Sequence, residues 1–238
     1  MARSRGRDNP TREKKSHKRV RPREVFVFSE GKETELSYID ILLEHGVPAA
    51  PDRPVTITYK NQNAASKYRK PLPLVEAAIP VVAEAERQAR QSGLRPDDWN
   101  WPQVWCLFDR DQHKDIPVAC AMARREGVRV AYSHPCFELW RLLHYQNYTS
   151  TFGGVCGTVA QRLKQRPGFV QTYSEQAKDV SPEDAKYVKP GQILGGYQKA
   201  RKFAEQINKA HRGSDPTRWD PYTDVFRFVE DALGYKDY

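Results

Sequence analysis

The apolar positions fall into two patterns that alternate along the chain. Val25–Phe28, Val104–Phe108 and Val128–Tyr132 are brief runs with little or no polar interruption. Runs of that length suit strands covered on both faces, as in a parallel sheet. Val55, Ile57 and Tyr59 alternate instead with Thr56 and Thr58, which predicts a half-exposed strand at a sheet edge. Helical spacing fills the gaps. Leu36, Ile39, Leu42 and Leu43 form one stripe, with Thr34 as N-cap and Gly46 as C′ residue. Apolar residues at 74, 75, 78, 79, 82, 85 and 89 form a second, which Pro80 should kink or split. A third helix runs from Asp115 to Gly127 with Pro117 in its first turn, and a fourth starts at Ser133 or His134 with Pro135 in its first turn. The order through residue 150 is β-α-β-α-β-α-β-α. That predicts an α/β fold: a parallel sheet of about four strands, flanked by helices and joined by right-handed crossovers.

The rest is less regular. Thr158–Arg166 reads as a short helix, 167–196 as loop, and Tyr197–Ala210 and Thr223–Leu233 as helices. Three segments are expected: a basic flexible arm over 1–23, an α/β core over 24–150, and a mostly helical C-terminal extension over 151–238 packed on that core. No apolar run approaches the roughly 20 residues of a membrane span, and no apolar segment follows the basic N-terminus as in a secretory signal. The expected location is cytoplasmic. Cys106, Cys120, Cys136 and Cys156 are widely spaced, with no C-x-x-C. They read as small buried residues, forming neither a zinc site nor a disulfide.

Charge changes the picture at one end. The net charge is +9, and residues 1–23 hold ten Lys or Arg against Asp8 and Glu13. The remaining 29 basic and 28 acidic side chains nearly cancel. The arm lacks apolar periodicity and should be disordered alone. It suits nucleic-acid phosphate, or else a purely solubilising tail.

The acids that close the strands are the candidate chemistry. Asp109 and Asp111 follow the Val104 run, at the strand end where open α/β sheets place ligands. Two residues apart in a strand, their carboxylates point the same way, and a cation between them would relieve their repulsion, with Mg²⁺ or Mn²⁺ suiting oxygen ligands. Alternatively Asp109 starts a loop and Asp111 caps a turn. Glu30 closes the first strand, and three carboxylates converge if the two strands are neighbours. Glu33 and Glu35 read as acids complementing the next helix N-terminus. The chain has no G-x-x-x-x-G-K-[ST] and no G-x-G-x-x-G. Gly153-Gly154 and Gly195-Gly196 read as turns.

Three blocks together resemble the RloB-like family: Glu30-Gly31-Lys32-Glu33-Thr34-Glu35, Leu107-Phe108-Asp109-Arg110-Asp111, and Ser133-His134-Pro135-Cys136-Phe137-Glu138-Leu139-Trp140 with Leu143-His144. The resemblance extends to the basic arm and to Tyr187-x-Lys189. It implies a Toprim-like core and a place beside restriction-modification and other phage-defence genes. It implies a metal-dependent nuclease that hydrolyses DNA or RNA phosphodiesters. Glu30, Asp109 and Asp111 would hold Mg²⁺ or Mn²⁺, and Glu30 would serve as base or ligand. Glu138 would take the place of the third acidic element, or else complement its helix dipole. Lys32, Lys189, Lys199, Arg201 and the arm would meet phosphate. His144 would assist proton transfer, or else pack on its helix face. The implied partners are nucleic acid and other defence-system proteins, with an oligomer possible. The alternative is a non-catalytic nucleic-acid-binding accessory of such a locus.

Overall fold

The computed structural model describes residues 20–238. The expected flexible arm falls mainly on residues outside that range, and Arg23 already belongs to the first strand. In chain order the elements are β1 (Arg23–Ser29), α1 (Thr34–His45), β2 (Val47–Pro48), β3 (Val55–Tyr59), α2 (Pro71–Gln91), β4 (Gln103–Asp109), α3 (Ile116–Arg125) and β5 (Arg129–His134). They continue with α4 (Glu138–Leu143), α5 (Cys156–Lys164), α6 (Pro190–Ile193), α7 (Tyr197–Ala210), β6 (Tyr222–Thr223), α8 (Val225–Arg227), a wide π turn over Phe228–Ala232, and β7 (Tyr235–Asp237).

The main sheet has the order β3-β1-β4-β5-β6, with β1 parallel to both β3 and β4, and β4 parallel to β5. The four expected parallel strands are present, and β3 takes the edge. The short antiparallel β6 adds a fifth strand through Ser133↔Thr223 and His134↔Tyr222. Two residues carry too little pattern to announce a strand. The pairing of β2 with β7 was equally invisible in the sequence.

Alternation along the central strands sends side chains to two cores. Val25, Val27, Trp105, Leu107 and Ala131 pack with residues of α1, α4 and α7. Phe28, Val104, Cys106, Phe108 and Tyr132 face Leu74, Val75 and Ala78 of α2, and Ile116 and Ala119 of α3. Each helix layer removes apolar area worth about 25 cal/mol per Å². Pro80 is accommodated within α2.

Two local expectations are corrected. Gly46 has φ −63°, so no left-handed cap requires it. A Cβ there would lie 2.2 Å from the Tyr235 ring, so close packing excludes a side chain. The helix expected from Ser133 or His134 begins only at Glu138. β5 runs through His134 because Arg110 N–H donates to Ser133 O at 2.8 Å and β6 pairs alongside. The His134–Pro135 peptide is cis.

The C-terminal extension is stitched into the first core by a buried chain of hydrogen bonds. Trp140 Nε1–H donates to Tyr38 Oη at 2.9 Å, Tyr38 and Tyr238 hydroxyls are 2.7 Å apart, and Tyr238 Oη lies 2.8 Å from His144 Nε2. Among the described residues no helix is long and apolar enough to cross a membrane.

Candidate functional site

The strand order fixes where a cleft opens. From β1 the chain passes by α1 on one face to β3. It then returns by α2 on the other face to β4, on the far side of β1. The loops leaving β1 and β4 therefore diverge at neighbouring carboxyl ends, the place where open α/β sheets bind ligands. Glu30 and Asp109 stand at those two ends. The cleft is about 440 Å³ and includes Glu30, Glu35, Asp109, Asp111, Glu138 and Lys32 in its walls.

Glu30 is locked in place. Its Oε2 accepts the Asp109 backbone N–H at 3.0 Å, and its Oε1 lies 2.7 Å from His113 Nε2. Burial is the main reason its carboxyl sits above the usual range, with the bonds from Asp109 and His113 opposing. Behind the turn, the buried Arg69 donates to the carbonyls of Glu30 (2.9 Å), Asn61 (2.6 Å) and Gly31. Asn61 Oδ1 accepts Ser29 N–H at 3.0 Å and its Nδ2 donates to Ser29 O at 2.8 Å, completing the β1 end.

Glu35 is the acid the sequence reading assigned elsewhere. It is the second residue of α1, yet it is only 3% exposed and turned inward. Its Oε1 accepts Gly31 N–H at 3.1 Å, while its buried Oε2 has no hydrogen-bond partner. A Cβ on residue 31 would fall 1.9 Å from that Oε2, so glycine is what lets the turn close over the carboxylate. Burial, then Glu138 and Glu30, push the Glu35 carboxyl up to about 7. Asp109 is raised well above its ordinary value by burial first, then by Glu35, Glu30 and Glu138, against a backbone hydrogen bond from Phe137. These acids repel one another, while Arg69 attracts Glu35 and Glu30 and Arg141 attracts Glu138 from outside the cluster.

Of the expected trio of metal ligands, Glu30 and Asp109 meet where β1 and β4 end, and Asp111 lies on the cleft wall. Among the described residues, neither Glu30, Asp109 and Asp111 nor Glu35, Asp109 and Glu138 bring three ligand atoms within 4.8 Å of one another. β4 ends at Asp109, and Asp111 sits in a turn with φ +33°, its N–H donating to Pro135 O at 3.0 Å. The two aspartates are not a same-side pair on one strand. Glu30 also has both oxygens engaged. The acids that face Asp109 are Glu35, Glu30 and Glu138.

That donor set fits a hard divalent ion. It consists of carboxylate oxygens, one of them a buried atom without a partner, held in mutual repulsion. Glu138 stays at the rim of the cleft, with Arg141 Nη1 3.8 Å from its Oε1.

The expected phosphate contacts divide. Lys32 lines the cleft and is exposed. Lys189 lies 5.7 Å over the Tyr173 ring, Lys199 is exposed on α7, and neither lines the cleft. Arg201 is engaged with Glu230 and with Glu205 at 3.2 Å. Lys186, not singled out from sequence, is a second exposed cation on the cleft wall.

His144 sits in the core, away from the cleft. Its Nδ1 is 2.9 Å from Trp140 O, and since a carbonyl only accepts, Nδ1 carries the proton. Nε2 then accepts from Tyr238. Burial pushes its pKa down to about 3, so the ring is neutral at ordinary pH.

Sequence reasoning missed Glu35, His113 and Arg69. Glu35 was hidden because an acid at a helix start has an ordinary explanation. His113 continues the spacing Asp109-x-Asp111-x-His113, which was the available signal. Arg69 had none, since it acts on carbonyls from a loop distant in sequence.

The cysteine expectation is also overturned. Cys136 and Cys156 are joined in a disulfide with Cα atoms 5.5 Å apart, on the wall of this cleft. Cys106 and Cys120 are free.

No curated protein and no solved structure matches the chain. The sequence model of one family does, across residues 25–231, from β1 through the π turn. With that span matched, the chain belongs to the RloB-like protein family.

Proposed function

We propose that this chain is a metal-dependent nuclease of the Toprim type, hydrolysing phosphodiesters of DNA or RNA in defence against phage. The observation that carries the reading is Asp109 at the sheet's switch point. It is ringed by Glu30, Glu35 and Glu138, with one oxygen of Glu35 buried and unpaired. Carboxylates so placed have a cost in the free chain that a bound cation removes. Glu35 and Asp109 would hold Mg²⁺ or Mn²⁺, with Glu30 and Asp111 beside them in the cleft. When bound, the ion supplies Lewis acidity toward a phosphoryl oxygen and an acidified water.

The chain's own residues supply the rest. Glu30 fixes the end of β4 by accepting the Asp109 N–H, and holds His113 at hydrogen-bond distance. His113 would serve as the proton-transfer group, oriented by its hydrogen bond to Glu30. Lys32 and Lys186 neutralise phosphate at the rim, and the basic residues before β1 add sequence-independent attraction. The defence role rests on the family resemblance.

The test is cleavage of labelled DNA and RNA with Mn²⁺ or Mg²⁺ by purified protein, beside phage restriction in cells. Asp109→Asn and Glu35→Gln should abolish both while preserving the circular-dichroism spectrum. No cleavage of any nucleic acid, with restriction untouched by either substitution, rejects the enzyme. The accessory alternative predicts salt-dependent binding that survives both substitutions.

A further inference from the structure

We propose that Cys136, Cys156 and Glu138 form a second cation site. It takes a thiophilic divalent ion such as Zn²⁺ when the two sulfurs are reduced, and their disulfide closes it. Two of the three are near neighbours in sequence, and Cys156 joins them from 20 residues beyond Cys136. Cys136 lies in the turn after β5, Glu138 opens α4, and Cys156 opens α5. Their ligand atoms all lie within 4.8 Å of one another, within reach of a shared ion. Cys156 Sγ is 3.6 Å from Glu138 Oε2. Arg141 approaches the other oxygen, Oε1, at 3.8 Å, which leaves Oε2 turned toward the sulfurs.

Two thiolates and a carboxylate are a zinc-type donor set, and the softness of sulfur selects against Mg²⁺. Cys136 is buried, whereas Cys156 and Glu138 are partly exposed to the cleft, so a water can fill the fourth position. Two sulfurs on one tetrahedral ion at Zn–S about 2.3 Å stand roughly 3.8 Å apart. Opening the bond to that separation needs a shift of under about 2 Å. The chain enters Cys156 through Gly153 and Gly154, with φ +63° and +71°. The Cys156 end is independently anchored: Asp220 accepts from the Thr151 hydroxyl at 2.7 Å and the Gly154 N–H at 2.9 Å. The reduced chain therefore keeps the third ligand in reach.

The exchange balances with a small-molecule disulfide as oxidant. The two thiolates pass an electron pair to it, its S–S bond breaks to give two thiolates, the Cys136–Cys156 bond forms, and the ion leaves. A dithiol or phosphine reverses the step.

The experiment uses full-length protein reduced with a phosphine and desalted without oxygen. Zn²⁺ uptake is measured against a chromophoric chelator, for wild type and for the Cys136→Ser/Cys156→Ser double variant. Any zinc on the neighbouring carboxylates is common to both and cancels. The expected result is about one more equivalent in the reduced wild type, lost on treatment with oxidised glutathione and regained on reduction. Glu138→Gln should weaken that uptake. Equal uptake by the reduced wild type and the double variant, or uptake indifferent to oxidation, overturns the site. Should the double variant not fold, Cys156→Ser and the oxidised wild type make the same comparison. Zinc is counted directly, so this site stands or falls apart from cleavage.

Discussion

Glu30 and Asp109, 79 positions apart, are joined by one hydrogen bond: the Asp109 backbone N–H donates to Glu30 Oε2 at 3.0 Å. The bond clamps the carboxyl ends of β1 and β4 together, so the Asp109 side chain is presented to Glu35 and Glu138 with little freedom.

Asp109 should separate function from stability. Its carboxyl is held far above its ordinary range by burial and by neighbouring acids. Asp109→Asn keeps the shape of the neutral form and removes the charge. Cleavage should fall by at least about a thousandfold, while the thermal midpoint at pH 8 without divalent ions rises or holds. A variant that loses both activity and stability would show that Asp109 is structural.

Glu35 gives a pH signature. Its usual value of 4.5 moves to about 7 in the fold. The native state therefore holds a proton that the unfolded chain has released between those values. Stability from this group is present below about pH 4.5 and declines as pH rises to about 7, by up to about 3 kcal/mol. Denaturant melts of wild type minus Glu35→Gln should show that decline, and Mn²⁺ should erase it by stabilising the ionised carboxylate. A flat difference curve would contradict the buried acid.

His113 acts on rate. His113→Gln retains a hydrogen bond to Glu30 but cannot cycle a proton, so kcat should drop by about 10²–10⁴-fold with KM little changed. An unaltered kcat would reduce His113 to a support for Glu30.

His144 acts on stability alone. Its value drops from 6.5 to about 3, so the unfolded chain takes a proton first as pH falls. Stability from the neutral ring is present above about pH 6.5 and is lost toward about pH 3, on the order of 5 kcal/mol. His144→Phe also removes the acceptor for the Tyr238 hydroxyl proton, at about 1–3 kcal/mol. Cleavage per folded molecule should stay unchanged, as checked by active-fraction titration beside thermal melts.

Residues 1–19 should govern salt dependence. Removing them leaves Arg23 in β1, where its guanidinium donates to Trp99 O at 2.7 Å and Asp231 O at 2.6 Å. The truncated chain should melt like wild type. Its nucleic-acid affinity should fall less steeply with log salt, since fewer counterions are released. An unchanged slope would assign the phosphate contacts to the folded domain.

Short solid apolar runs and helical stripes determined the layered α/β class, the four parallel strands and the acids at their ends. These follow from local periodicity, because burial on two faces leaves a mark in consecutive residues. Tertiary structure alone decided which acids meet. Glu35 looked like a dipole partner and became a buried member of the cluster once Gly31 let the turn close over it. Asp111 looked like the twin of Asp109 until the chain turned at φ +33° and broke the strand geometry. His144 went to the core because Tyr238, 94 residues later, supplied its partner. Cys136 found Cys156 across α4. Pairings of this kind depend on distances that folding sets between remote residues, and no window of sequence contains them.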